Sequence, residues 1–229
     1  MDVEKRFTRI TSLLGEPARA TMLWNLLDGN ALTATELAIC ADISPQSASS
    51  HLTKLVEAEF LRVEKQGRHR YYRFARPEVA YVIESIATLM PIQPVRFNRS
   101  ASSQPGLEYA RTCYDHLAGK VAILITQALL HKRVLEVDEK NFRVTQQGEH
   151  WFDSIGINVS DLRQNNRRSF ARQCLDWSER KPHLAGALGA ALLKRMVELG
   201  WIRRVNHSRM VVISAKGEAA LDEKLALLI

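Results

Sequence analysis

Cysteine is scarce: the 229 residues hold 3, namely Cys40, Cys113 and Cys174. An odd count in a chain of this length excludes a disulfide framework and suggests a reducing compartment. Long apolar runs are missing as well. The most apolar stretch, residues 121–130, is too short to cross a bilayer. The first nine residues are charged, with no apolar segment behind them to act as a signal peptide. The expected location is therefore cytoplasmic, with no membrane partner. Enzyme signatures are also missing. No glycine-rich phosphate loop follows a strand, and neither H-E-x-x-H nor G-x-S-x-G occurs. Asp115 with His116, and Ser178 with Glu179, have no supporting third group. The chain is expected not to be an enzyme.

The length allows one large or two modest domains, each with its own core. Apolar residues at 46% and charged residues at 25% are ordinary for a globular chain. The net charge of +7 fits a nucleic-acid partner, but its placement is uneven. In residues 1–90, eleven Lys and Arg balance eleven Asp and Glu, so the whole excess lies in residues 91–229. Affinity for a polyanion depends on where charge sits, and in the N-terminal part basic residues concentrate in one short segment.

That segment belongs to residues 33–76, around which the chain is organised. A short apolar-patterned run at 36–41 breaks at Asp42-Ile43-Ser44. Pro45 then fits a first helical position, with Ser44 as N-cap. The following run, 46–59, places Ala48, Leu52, Leu55 and Val56 on one face. Gln46, Ser47, Ser50, Thr53 and Lys54 fall mostly on the other, with His51 at the border. A solvated helix face is usually rich in Glu and Lys. This one is small, neutral and hydrogen-bonding, which suits a helix that enters a groove and touches base edges. Residues 61–64, a turn around Gln66-Gly67 and the alternating run 69–74 predict a hairpin. Residues 62–76 contain six Lys or Arg against the single acid Glu64. Two helices followed by a basic hairpin make a winged helix-turn-helix. Its second helix would lie in the major groove, while Lys65, Arg68, His69 and Arg70 would grip the backbone or minor groove.

With E-P-A-R-A-T-M-L-W-N-L-L-D-G upstream, S-x-x-S-H-L-x-x-L, the glycine-centred basic hairpin and the Tyr71-Tyr72 strand occur together and in order. The stretch resembles the ArsR-type (arsenic-repressor) regulators over roughly residues 5–90. The resemblance implies a dimeric repressor of double-stranded operator DNA that leaves its operator on binding an effector. It also implies that the first helix and the helix after the wing, here 77–90, build the homodimer. The family's familiar metal sites look absent. The helix before the recognition helix offers only Cys40, which reads as a small core residue, and the helix after the wing has no histidine.

The remaining sequence gives the rest of the expected architecture. Residues 2–14 and a helix opened by Pro17 form scaffold, the latter with a buried stripe of Ala20, Leu23, Trp24 and Leu27. Residues 91–106, with three prolines and three serines, read as a linker between a domain at 1–90 and an added region at 107–229. That region repeats itself: His116-Leu-Ala-Gly119 recurs as His183-Leu-Ala-Gly186. A Cys-x-Asp precedes each copy, beginning at Cys113 and Cys174. An apolar helix (121–130, 188–199) and a strand pair (134–137 with 142–145, 201–205 with 210–213) follow each. The fold class is mainly α with small β-hairpins: an N-terminal winged helix-turn-helix, then two repeated winged-helix-like halves joined by a basic helix at about 160–177. The apolar helices are too buried for a groove, which favours a sensor or dimer module over a second DNA reader. Arg163, Arg167, Arg168 and Arg172 read as a solvated face or as a phosphate track.

Cys113, His116, Cys174 and His183 are the sharpest chemical constellation. Cys113 and His116 are expected to share a helix face. If the halves meet, thiols and imidazoles would converge on a zinc-like or thiophilic metal ion. A thiol redox pair, a small-ligand pocket, and a packing role for His-Leu-Ala-Gly remain alternatives. The function expected from sequence is a DNA-binding transcriptional regulator, a repressor released by a metal, oxidant or small effector acting on residues 107–229. The alternative is a non-enzymatic scaffold that uses winged-helix halves to bind protein.

Overall fold

The computed structural model describes residues 2–90, 106–164, 169–206 and 208–229. The predicted linker therefore lies outside the described residues except for Gly106. The chain divides into two compact units, Met1–Ile86 and Ala87–Ile229.

In the first unit, α1 (Val3–Leu14) and α2 (Pro17–Asn25) lead through a short 3-10 turn to β1 (Leu32–Thr33), α3 (Ala34–Cys40) and α4 (Pro45–Glu57). The hairpin β2 (Leu61–Gln66) and β3 (His69–Phe74) and then α5 (Pro77–Ala87) complete it. Local chemistry sets these boundaries. Thr33 and Glu36 form a reciprocal capping box on α3. Ser44 caps α4 by accepting from the Ser47 amide, with Pro45 in the first turn, as the sequence predicts. The core gathers Met22, Leu23, Leu26, Leu27, Leu37, Leu52, Leu55 and Leu61, all nearly solvent-free. Burial of Ala48, Leu52 and Leu55 fixes which face of α4 looks inward. Arg19 is buried beside them. Its Nε–H donates to the Leu13 carbonyl at 2.7 Å and an Nη2–H to the Ser12 carbonyl at 2.9 Å, so α2 closes the end of α1.

Two expectations fail here. Ala20 faces solvent and Trp24 is only half-buried, and α2 buries Ala18 and Met22 beside Leu23 instead. Cys40 is exposed rather than a core residue. It is the last residue of α3, and its exposure comes from that end position, since helix phase alone would place it only about 60° from buried Leu37.

In the second unit, β4 (Arg111–Cys113) and β5 (His116–Ala118) precede α6 (Lys120–His131), β6 (Leu135–Asp138), β7 (Asn141–Val144) and α7 (Gln146–Ser154). After α8 (Val159–Gln164) the same order returns: β8 (Arg172–Leu175), β9 (Pro182–Ala185), α9 (Gly186–Glu198), β10 (Ile202–Arg204), β11 (Val211–Ile213) and α10 (Ala215–Leu225). The basic helix expected near 160–177 is not formed. Among the described residues of that stretch only those of α8 are helical, Arg163 on it pairs with Glu149 at 2.9 Å, and Arg172 starts a strand. Arg167 and Arg168 lie outside the described residues.

The strand pairs exchange partners. Phe142 N–H donates to the Ala171 carbonyl and Gln173 N–H to Lys140, linking β7 to β8 in a four-stranded sheet. Reciprocally, Val211 N–H donates to Ala110 and Thr112 N–H to Arg209. Gly119 and Gly186 hold matching corners between strand and helix at φ 85° and 79°. A Cβ there would strike the Glu108 carbonyl at 2.8 Å and the Ser169 carbonyl at 2.6 Å, so a side chain would break the entry to α6 and α9. Both helices are buried on most faces, through residues such as Val121, Ile125 and Leu129, and Leu188, Leu192 and Met196.

Candidate nucleic-acid interface and buried Cys-His cluster

The outer face of α4 is built by exclusion. With Ala48, Leu52 and Leu55 inward, Gln46, Ser47, Ser50 and Lys54 are left exposed. The face carries hydroxyl, amide and ammonium groups and no carboxylate until Glu57 ends the helix. Ser47 Oγ lies 3.0 Å from the capping Ser44 Oγ. His51 is half-buried, and its Nδ1 lies 3.3 Å from Glu16 Oε2 and 3.3 Å from Arg19 Nη1. That nitrogen anchors α4 to α2 and so sets the tilt of the exposed face. His51 thus sits at the border of the two faces, where the helical period places it, and its partners Glu16 and Arg19 come from the packing of α2 against α4.

The wing follows from a six-pair antiparallel register running from Leu61↔Phe74 to Gln66↔His69. Its two-residue turn is Gly67-Arg68, with Gly67 at φ 58°, a conformation that favours glycine. Glu64 engages Arg62 at 3.1 Å and Arg73 at 3.3 Å, so its charge is spent at the base of the hairpin. Lys65, Arg68, His69 and Arg70 are exposed at the tip. Lys65 and Arg70 are directly opposite across the strands. Like charges so placed destabilise a hairpin, which makes the pair more useful for an anion than for folding.

The second unit brings Cys113, His116, Cys174 and His183 together, with one ligand atom from each within 4.8 Å of all the others. The two sulfurs are 3.9 Å apart and the two Nε2 atoms 3.1 Å apart. The expectation that Cys113 and His116 share a helix is overturned: they are partners across the β4–β5 hairpin, as Cys174 and His183 are across β8–β9. Tyr114, at φ 58°, turns the chain between the first pair, and the helix starts only after Gly119. The Cys113 thiol hydrogen-bonds Cys174, which pushes Cys113 well above the ordinary cysteine range, and burial adds to this. The same bond, with help from both imidazoles, holds Cys174 well below that range although burial opposes it. Burial pushes His183 down. It opposes charge on His116 too, but Asp115 and Cys174 raise that imidazole.

Arg111 is the residue that sequence reasoning missed. It is fully buried, donates to Asp176 Oδ2 at 2.9 Å and stacks its guanidinium 4.3 Å from the Trp177 ring. Asp176 also accepts from the Gly119 amide at 2.7 Å and from the Ser178 and Glu179 amides. The ion pair thus ties the β4–β5 corner to the turn after β8, beside the four-residue cluster. An arginine stands two positions before the cysteine in both copies of the repeat, Arg111 and Arg172, but that pattern alone does not say that Arg111 is the buried one or that Asp176 is its partner.

The first unit, with a capped helix pair, an exposed polar face on the second helix and a basic hairpin, defines a winged helix-turn-helix protein. A family model described as a helix-turn-helix domain matches residues 14–64. A chain from Bacillus subtilis (strain 168), described as the uncharacterized HTH-type transcriptional regulator YdfF, is 46% identical over 217 residues, spanning 95% of this chain and 96% of that one. The protein belongs to the HTH-type transcriptional regulators. Solved structures with similarity include HlyU from Vibrio cholerae N16961, at 24% identity over 39% of this chain and 97% of that one, TM-score 0.35. The transcriptional repressor BigR from Xylella fastidiosa is 21% identical over 40% of this chain and 96% of that one, also with TM-score 0.35. Among the described residues, no helix is long and apolar enough to cross a membrane.

Proposed function

We propose that this regulator binds double-stranded operator DNA as a homodimer, in the manner of an ArsR-type repressor, with an effector acting on the C-terminal unit. The observation that carries the reading is the outer face of α4. An exposed helix face with Gln46, Ser47, Ser50 and Lys54 and no acid is costly to explain as mere surface and fits a major groove. Lys65, Arg68, His69 and Arg70 then meet phosphate or the minor groove, and His51 orients the helix from behind. The homodimer is supported by α1, none of whose residues is buried, and which leaves Phe7 67% and Ile10 48% exposed. On α5, Val82 and Ile86 are similarly open. A second copy packed on these faces would cover them.

The C-terminal unit reads as two winged-helix-like halves serving as sensor rather than as second DNA reader. The returning element order supports this, as do the matched N-caps, where Thr145 accepts from the Gly148 amide and Ser214 from the Gly217 amide. The burial of α6 and α9 argues against either lying in a groove.

The test is selection of preferred duplexes from a random pool, followed by affinity for the preferred over a scrambled sequence. Gln46→Ala is expected to cut that ratio roughly 5- to 150-fold, the ~1–3 kcal/mol of a good base contact, and Ser50→Ala to cut it less. Retention of the full ratio by both variants places the reading helix elsewhere.

A further inference from the structure

The Cys113–His116–Cys174–His183 cluster gathers two sulfurs and two imidazole nitrogens in one buried place. His116 Nδ1 is 3.1 Å from Asp115 Oδ1, so its proton is held there and its Nε2 lone pair is directed into the cluster. His183 is buried, and among the described residues its Nδ1 has no hydrogen-bond partner, Asp176 Oδ2 standing 3.7 Å away. The two Nε2 atoms nevertheless meet at 3.1 Å. Without a cation, His183 can carry its proton on Nε2 and donate it to the His116 Nε2 lone pair; moving that proton to Nδ1, on the side of Asp176, turns both Nε2 lone pairs into the cluster.

We infer that the cluster is a closed tetrahedral site for one divalent cation of the zinc class, held by Cys113 Sγ, His116 Nε2, Cys174 Sγ and His183 Nε2. With Zn–S at ~2.3 Å and Zn–N at ~2.0–2.1 Å, a tetrahedron has an S···S edge near ~3.8 Å and an N···N edge near ~3.3 Å. The structure gives 3.9 Å and 3.1 Å, with all four atoms inside 4.8 Å of one another. Two thiolates neutralise a dication, so a buried site carries no net charge, and whatever protons the four ligand atoms still hold leave to solvent on binding. Asp115 on His116 supplies the carboxylate support that such ligands use, and the Asp176 carboxylate stands 3.7 Å from His183 Nδ1, outside hydrogen-bond distance but of the sign that favours a cation nearby.

The ligands come as two cross-strand pairs, Cys113 opposite His116 and Cys174 opposite His183. The cation therefore clamps the β4–β5 hairpin to the β8–β9 hairpin. Four protein ligands leave no open position, which makes the site structural or regulatory and not catalytic. This goes beyond the DNA-binding reading and does not depend on it.

The experiment uses the full chain, stripped with a chelator under reducing conditions and then titrated with Co²⁺ and with Zn²⁺. Expected are the sulfur-to-cobalt charge-transfer band and the strong visible bands of a tetrahedral site with two sulfur and two nitrogen ligands, displaced by Zn²⁺, and one Zn per chain by elemental analysis. Cys113→Ser should lose the bands, and exposed Cys40→Ser should keep them. Because Cys113→Ser also places a hydroxyl in a buried position, His183→Cys provides a second variant. It should keep one metal and shift the bands toward those of three sulfurs and one nitrogen. Absence of tetrahedral cobalt bands, or a chain that takes no zinc and oxidises to a Cys113–Cys174 disulfide, overturns the inference. Metal loading in a chain that ignores DNA would instead sink the operator reading and leave this one standing.

Discussion

Replacing Lys65, Arg68 and Arg70 together by alanine is expected to weaken DNA binding for every sequence alike and to flatten its salt dependence. Each phosphate contact contributes about 0.9 to the slope of log K against log salt, so three lost contacts remove about 2.7 per protomer and twice that for a homodimer. The expectation rests on where the charges are. Glu64 already serves Arg62 and Arg73, whereas Lys65 faces Arg70 across the strands. Folding should not suffer, and separating that like-charged pair should if anything favour the hairpin. An affinity titration at several salt concentrations reads the slope, and an unchanged slope refutes the wing assignment.

Asp176→Ala should have the largest effect on stability. It leaves the Arg111 guanidinium buried without its counter-charge and strips the Gly119, Ser178 and Glu179 amides of their acceptor. Breaking one partner out of a buried ion pair costs about 3–5 kcal/mol. Urea unfolding should show this in the C-terminal unit, with Trp177, stacked on Arg111, as the fluorescent reporter. Acid provides an independent check of sign. Burial opposes the charge on Asp176, but Arg111, Ser178 and the Gly119 amide outweigh it and hold the carboxyl at about 2 against an ordinary 3.8. A group so depressed contributes its full stability above about pH 4 and loses it as pH falls toward 2. The alanine variant should lack that part of the acid transition. A variant as stable as the parent at pH 7 would mean that the pair holds nothing together.

The sequence was most legible where chemistry is local. Ser44 before Pro45 marked the start of α4, and the apolar spacing of Ala48, Leu52 and Leu55 named its inner face. Gly67 marked the wing turn. It was least legible where partners are distant in sequence. Cys113 and His116 are three apart, a spacing that suits a helix face and, equally, the two ends of a tight hairpin, and strands of three residues are too short for a period to decide. The four cluster residues were nonetheless identifiable, because chemically scarce residue types recur in order before each apolar helix. The exchange of strand pairs, which brings them together, follows from backbone pairing between Lys140 and Gln173 and between Arg209 and Thr112, and leaves no local mark. Arg111 was hidden for the same reason, its partner being 65 residues away.

Hydroxyl-radical footprinting of the full-length protein on the DNA upstream of its own gene tests the central claim most directly. The account predicts two protected half-sites about 34 Å apart, centre to centre, each protected strongly where α4 enters and more weakly beside it where the wing lies. Uniform, salt-sensitive protection with no preferred position, or none at all, would contradict it.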